Sequence, residues 1–598
     1  MGLTVALATG ALLSAQRPAR DTGTREPEPT GTARLAGYAV AADTGRPLKR
    51  VRIIVNGTDV TMPAAQGGRG GLGQMLQRLG SLEQMGGGPQ GLLAGLRMVR
   101  STQTDEQGRF EVRDLPAGVY TVSASKTGYV DVTFGQRHAT RPGTPIQIAD
   151  GQQVEHVNFA LPRGSVITGQ ILDEDAEPLA RAGVSVMRFQ YQGGERRLVP
   201  LGSDQTDDRG MYRVYGLPPG DYYVSAVSRA LFGPMQRLMM EDRAIEMAGG
   251  REDEAAQGYA PTFYPGVATP AEAARVTVGL GQELAGVDFQ LQLVPMARIS
   301  GTVFNADGTP MTSGGNVILV PDYTQLVARG SNVTGRIRAD GAFTIDNVPP
   351  GRYTLFARNR PNRTEPANFA VHSVSIAGQD LANVVVALSP GATVSGVVTF
   401  DGPSRPPEDL TRIRISLPAL DATPFGGNQT MRVEADGRFT ISGIPAGRRS
   451  IRVPNAPEPW SLQAVILDGL DVTDTPIEVR NAQRITQVQV VLTDRVTSLT
   501  GTVRDGKGDP ATGYTVIAFS TDPATWQPQS RTIQGTQPDQ TGAYAIRGLP
   551  AGSYFLVAVD DVEPGEWFDP AFLDEMRPGA TRVALVAGQM FTQDLTIR

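Results

Sequence analysis

The sequence predicts an all-β chain of five tandem antiparallel Greek-key β-sandwiches of about seven strands each, with short helical insertions in the first two repeats. Three observations predict it. One two-strand signature recurs five times at fixed internal spacing. Each copy has an apolar-alternating head before it and an alternating tail after it. Glycine and proline, 70 and 44 of 598 residues, punctuate short apolar runs along the whole chain, as turns between strands require.

The signature is clearest in "GRFEVRDLPAGVYTVSA", Gly108 to Ala124. Its opening Gly-x-aromatic pair recurs as Gly108/Phe110, Gly210/Tyr212, Gly341/Phe343, Gly437/Phe439 and Gly542/Tyr544. Ten residues after each opening glycine comes a turn glycine: Gly118, Gly220, Gly351, Gly447 and Gly552. A proline precedes each by two positions: Pro116, Pro218, Pro349, Pro445 and Pro550. The preceding "DEQG" is turn chemistry, with glycine free to take positive φ. Phe110, Val112 and Leu115 are read as core-facing, and Pro116 ends their strand because it has no N–H for a ladder. Tyr120, Val122 and Ala124 alternate inward on the return strand, so the stretch reads as a hairpin.

The heads open at Gly37, Gly169, Gly301, Gly396 and Gly501, with a proline nine or ten residues on. In the first four tails, apolar residues fall five, seven and nine positions after Gln152, Gln282, Gln379 and Gln483, the period of a half-buried strand. The fifth tail, "VALVAGQMFTQDLTIR", is displaced by one residue, a shift that a bulge absorbs. These marks divide the chain into sandwiches at 33–163, 164–295, 296–391, 392–496 and 497–598. Short junctions such as "LSPGATVSG" predict a semi-rigid rod or arc.

The apolar run of "MGLTVALATGALLSAQ" reads as a signal peptide over 1–16, followed by a Pro/Thr-rich linker over 17–32. It is too short to span a bilayer, and no other stretch reaches that length. The chain is therefore expected to be exported: periplasmic, cell-surface or secreted. Two insertions carry helical spacing, 61–98 with "GLGQMLQRLGSLEQM" and 229–258 with "GPMQRLMMEDRAIEMAGG". Each is either an exposed amphipathic element that docks a partner or a membrane surface, or a helical flap over its own sandwich.

Order and spacing together resemble the carboxypeptidase regulatory-like domain: G-x-V-x-D-x-x-G-x-P, then D-x-x-G-x-F with P-x-G-x-Y, then a closing "GQ…V-x-F-x-L". The resemblance implies a transthyretin-like (prealbumin-like) β-sandwich, related to starch-binding-like and collagen-adhesin B-type folds. It covers nearly all of 33–598 and is specific for the domain type, not for a ligand. The fourth copy departs from it, with Arg449 where the others carry Tyr120, Tyr222, Tyr353 and Tyr554. A less well packed hairpin is expected there.

Composition narrows function by exclusion. A net charge of −6 gives no basic footprint for nucleic acid. With no cysteine, disulfides, thiolate zinc sites and cysteine nucleophiles are excluded. None of His138, His156 and His372 has a glutamate three residues later, so the zinc motif of metallocarboxypeptidases is missing. "GTVRDGKG" nearly matches a phosphate loop, but Gly508 stands where Ser or Thr must reach Mg²⁺. Only three lysines, Lys49, Lys126 and Lys507, are present, so the isopeptide cross-links of some collagen-adhesin modules cannot be a shared device. No catalytic residue, metal or cofactor is expected. The chain reads as a non-enzymatic scaffold or binding protein with a protein partner. The alternative is a polysaccharide binder, for which Tyr259, Phe263, Tyr264, Trp460, Trp526 and Trp567 are the candidate stacking surfaces.

Overall fold

A computed structural model describes residues 31–60, 99–138, 141–192, 194–228, 257–312, 314–322, 333–359, 367–420 and 428–597. The stretch read as a signal peptide, the expected linker but for its last two residues, insertion 61–98 and all but the last two residues of insertion 229–258 lie outside that set.

Among the described residues the buried apolar side chains form five large cores, one for each copy of the signature. In the first unit Leu35 and Ala39 of the head meet Phe110, Val112 and Leu115, then Tyr120, Val122 and Ala124, then Phe159 and Leu161 of the tail. Alternation puts most of these residues on one face of each strand, a register shift brings Leu115 to the same face, and burying a side chain of this size contributes about 2 kcal/mol.

The topology departs from the expected antiparallel pattern. Each head strand, Ala33–Ala41, Ser165–Leu172, Ala297–Phe304, Ala392–Asp401 and Ser498–Arg504, pairs antiparallel with the strand that opens the signature. On its other edge it pairs parallel with the tail. The sheet is mixed because the tail returns from the far side of the sandwich and runs in the same direction as the head.

The signature itself is a corner between sheets and not a hairpin. Arg109–Leu115 pairs with the head, whereas Gly118–Ser125 pairs with Arg52–Val60 in the facing sheet. Pro-x-Gly is where the chain crosses the core. The corner is tied by the tyrosine that follows: Tyr120 Oη donates to Pro116 O at 2.7 Å. Tyr222, Tyr353 and Tyr554 make the same bond to Pro218, Pro349 and Pro550. In the fourth unit Arg449 reaches the same position, donating from Nη2 to Pro445 O at 3.1 Å and from Nη1 to Leu417 O at 3.4 Å. Arg449 is only 1% exposed, so the looser packing expected of its hairpin is not found at the corner.

Two other recurring residues gain a cause. A Cβ on head glycine Gly37 would fall 2.0 Å from Val157 O, and the tail carbonyls of Val287, Val384, Val488 and Gln593 stand equally close to Gly169, Gly301, Gly396 and Gly501. Head and tail backbones touch there, and any side chain would part them. The tail glutamines are staples: Gln152, Gln282, Gln483 and Gln589 each accept, through Oε1, from the backbone N–H three residues earlier. In the first four units the head–tail register slips by one residue, from Leu35↔Val154 to Ala39↔Phe159 in the first. The fifth runs without a slip from Ser498↔Met590 to Val503↔Leu595. The displaced fifth tail is thus the one that lacks a bulge.

The fifth unit also carries a third layer. A helix, Pro570–Met576, covers a second core of Ile517, Phe519, Trp526, Ile533, Phe555, Val562 and Leu573 on the outer face of its sheet. Asp569 caps the helix by accepting from Ala571 N, with proline in the first turn. The sequence reading placed helices only in the first two units and missed this one, although Asp569-Pro570 is a start signal.

Candidate functional site: where the last unit meets the first two

Of the semi-rigid rod or arc expected, the extended rod is not what forms. Residues some 400 positions apart are joined, and the fifth unit lies against the first, the second and the fourth. Toward the first unit, Arg141 Nε pairs with Asp561 at 2.7 Å and its Nη1 with Glu563 at 3.1 Å. Gln147 N donates to Gln540 Oε1 at 3.1 Å and Gln540 Nε2 donates back to Gln147 O at 3.2 Å. The Arg137 guanidinium stands 5.7 Å from the Tyr514 ring centre, and a Cβ on Gly513 would fall 2.0 Å from Arg137 Nε.

Toward the second unit, a long ribbon of Ala182–Gln192 and Glu195–Gln205 reaches across. At its tip Gly194 packs on Phe568, and Tyr191 Oη donates to Asp569 at 3.4 Å. Arg188 adds a 3.7 Å ion pair to Glu563. Glu563 therefore faces two arginines from two different units. Arg141 holds the Asp561 carboxyl below the usual carboxylate range, whereas burial pushes that of Glu566 up.

Toward the fourth unit, the contact is denser in hydrogen bonds. Arg531 grips Asp474 with Nε at 3.1 Å and Nη2 at 2.8 Å, and donates to Leu462 O at 2.5 Å and Gln463 O at 3.2 Å. Both side chains are nearly out of water, 16% and 13% exposed.

Cavities open at both junctions but are small. One of ≈ 20 Å³ lies between Arg137, His138, Arg141, Tyr514, Gln537 and Asp561. One of ≈ 10 Å³ lies between the fourth and fifth units. Neither admits a sugar ring, since small-molecule sites enclose several hundred Å³.

The candidate aromatics do not converge. Trp460 is buried in the fourth core, edge-on to Phe400 at 4.8 Å. Trp526 is buried and donates Nε1–H to Ser520 O at 2.8 Å. Phe263 is buried against Met187 and Leu198. A buried ring offers no face for stacking, so these three are corrected from candidate surfaces to core. Tyr264 is half-buried, edge-on to Phe289 at 6.0 Å. Tyr259 is half-buried and donates its hydroxyl to Glu174. Trp567 is half-buried over Gly535 in the third layer of the fifth unit. Sequence reasoning missed Arg141, Arg188 and Glu563, which no local pattern marks.

Among the described residues no group of three or more His, Asp or Glu is placed to hold a metal ion, and no helix is long and apolar enough to cross a membrane.

The architecture is thus a tandem array of transthyretin-like β-sandwiches. The family model of the carboxypeptidase regulatory-like domain matches residues 92–162, the second half of the first unit. No curated protein matches the chain. Among solved structures, the minor pilin GBS52 of the Gram-positive pathogen Streptococcus agalactiae is similar at 12% identity and TM-score 0.21, over 44% of this chain and 97% of that one. The shaft pilin SpaA of Lactobacillus rhamnosus GG is similar at 13% identity and TM-score 0.18, over 44% and 97%. BcpA, the major pilin subunit of Bacillus cereus, is similar at 12% identity and TM-score 0.13, over 56% and 100%.

Proposed function

We propose that the chain is a non-enzymatic, exported scaffold or binding protein that mediates protein or cell-surface contacts. The observation that carries this reading is the division of labour among its residues. Everything that recurs is turn, corner, staple or core: the head glycines, the tail glutamines, the Pro-x-Gly corners and the tyrosines that tie them. What varies between units, the ribbon of the second and the third layer of the fifth, lies where units touch one another. A frame repeated for its stability, with divergent surfaces, is the logic of a scaffold.

A polysaccharide reading is left with Tyr259, Tyr264 and Trp567, the half-buried aromatics. A glycan array of the full chain, with Trp567→Ala and Tyr259→Ala as controls, separates the two. The scaffold reading expects a flat profile. Saturable binding lost in either variant would replace it with the polysaccharide reading.

A further inference from the structure

The junction between the fourth and fifth units holds more positive charge than its own carboxylate balances. Asp474 is gripped in bidentate fashion by Arg531. Arg452, from the fourth unit, stands 4.0 Å from the same carboxylate. Its guanidinium spends Nη1 on Ile451 O and Thr473 O, at 3.0 and 2.6 Å, and makes a 3.4 Å contact from Nη2 to Gln529 O of the fifth unit. These acceptors are neutral. Burial lowers the Arg452 pKa, Asp474 opposes that shift, and the neighbouring Arg531 adds a smaller push in the direction of burial.

Beside Arg452 lies the cavity of ≈ 10 Å³, lined also by Ser450, Thr475, Gln527 and Ser530 and, on one side, by Asp474, whose carboxylate Arg531 already holds. Ser450 is 4% exposed, and its Oγ meets no hydrogen-bond partner among the described residues. A buried hydroxyl left unpaired costs free energy, and two arginines sharing one carboxylate out of water call for a second negative charge. The space suits a single small occupant.

We propose that this junction is a binding site for one chloride ion, which accepts from Ser450 Oγ, lies against the Arg452 guanidinium and fastens the fifth unit to the fourth. An anion there completes the charge count, pairs the orphan hydroxyl and touches both units at once. A neutral water would satisfy only the hydroxyl.

Two measurements on the full chain test it. Crystals soaked in bromide are expected to show an anomalous peak within hydrogen-bond reach of Ser450 Oγ and Arg452. Thermal unfolding with chloride replacing gluconate at constant ionic strength is expected to shift upward, saturably, by roughly 2–5 °C. Ser450→Ala should fold and lose most of that shift. Should this variant fail to fold, the bromide peak in the unaltered chain decides alone. The absence of a peak at the junction, or a chloride response undiminished in Ser450→Ala, would overturn the site and leave a water in its place.

Discussion

The fifth unit presents two contact faces built on opposite principles. Toward the fourth unit, its neighbour in sequence, one arginine is spent on four acceptors almost wholly out of water. Toward the first and second units, distant in sequence, the contact is spread over ion pairs, a reciprocal glutamine bond and a ribbon tip; Asp561 remains 56% exposed, while Arg141, Arg188 and Glu563 are 18–20% exposed but meet only through single contacts at 3.1 and 3.7 Å. Buried charge pairs with good hydrogen bonding are hard to break one partner at a time, whereas exposed pairs are worth a fraction of a kcal/mol and yield to salt. The sequence-adjacent face, with four bonds from one arginine, is therefore expected to be the fixed joint, and the distant face, with one exposed pair and two single-contact pairs, the releasable one.

The largest effect is expected at the fixed joint. Arg531→Ala leaves Asp474 with Arg452 at 4.0 Å as its remaining cation and frees two carbonyls, and should destabilise the fourth and fifth units by about 3 kcal/mol in denaturant unfolding. A loss no larger than that of an exposed arginine would show that the two faces do not differ.

Alkali should divide the units behind the two faces. The corner phenols of Tyr120, Tyr222 and Tyr554 are raised by burial, Tyr222 to about 12. A phenol whose folded value lies above its unfolded value of 10 contributes its full stability below pH 10. That contribution is lost as pH rises from 10 through the folded value. By pH 12 the second unit should have lost about 2–3 kcal/mol. The corner of the fourth unit is tied by Arg449 and has no phenol to titrate. Base titration followed by hydrogen exchange should show the first, second and fifth units opening before the fourth.

The releasable face should answer to charge reversal. The double variant Asp561→Lys/Glu563→Lys removes three pairings at Arg141 and Arg188, and should weaken closure by about 1–2 kcal/mol without lowering the melting of any single unit. Small-angle scattering should show an expanded chain. Salt near 1 M should move the unaltered chain the same way. The smallest effect belongs to a single corner: Tyr120→Phe keeps the ring and drops one hydrogen bond, for about 1 kcal/mol in the first unit.

How much of this was legible follows from the range of each interaction. Turn glycines, corner prolines and alternating core residues act over a few positions, and the sequence shows them directly. The five cores follow from residues such as Phe110 and Phe159. The parallel pairing of head and tail was not legible, because alternation gives the faces of a strand and not its direction. The corner was misread as a hairpin for the same reason: "LPAGVY" marks a chain reversal without telling which sheet receives the return strand. Arg449 looked like a lost tyrosine because only geometry shows that Nη2 reaches the same carbonyl as a phenol. Phe263, Trp460 and Trp526 were read as candidate surfaces because aromatic content is visible in sequence and burial is not. Closure was invisible, since nothing local links Arg141 to Asp561 or Glu563.

Closure of the chain is the central claim, and the absence of cysteine allows a direct test. Gln147 and Gln540 bond each other's unit across the contact, and both are exposed. In the double variant Gln147→Cys/Gln540→Cys, a short bismaleimide at low protein concentration and low salt should link the two positions within one chain. A faster-migrating monomer should appear on a denaturing gel and fade when the reaction is run in 1 M salt. Thiols that stay unlinked at low salt, or that link only between chains, would contradict closure and restore the extended rod.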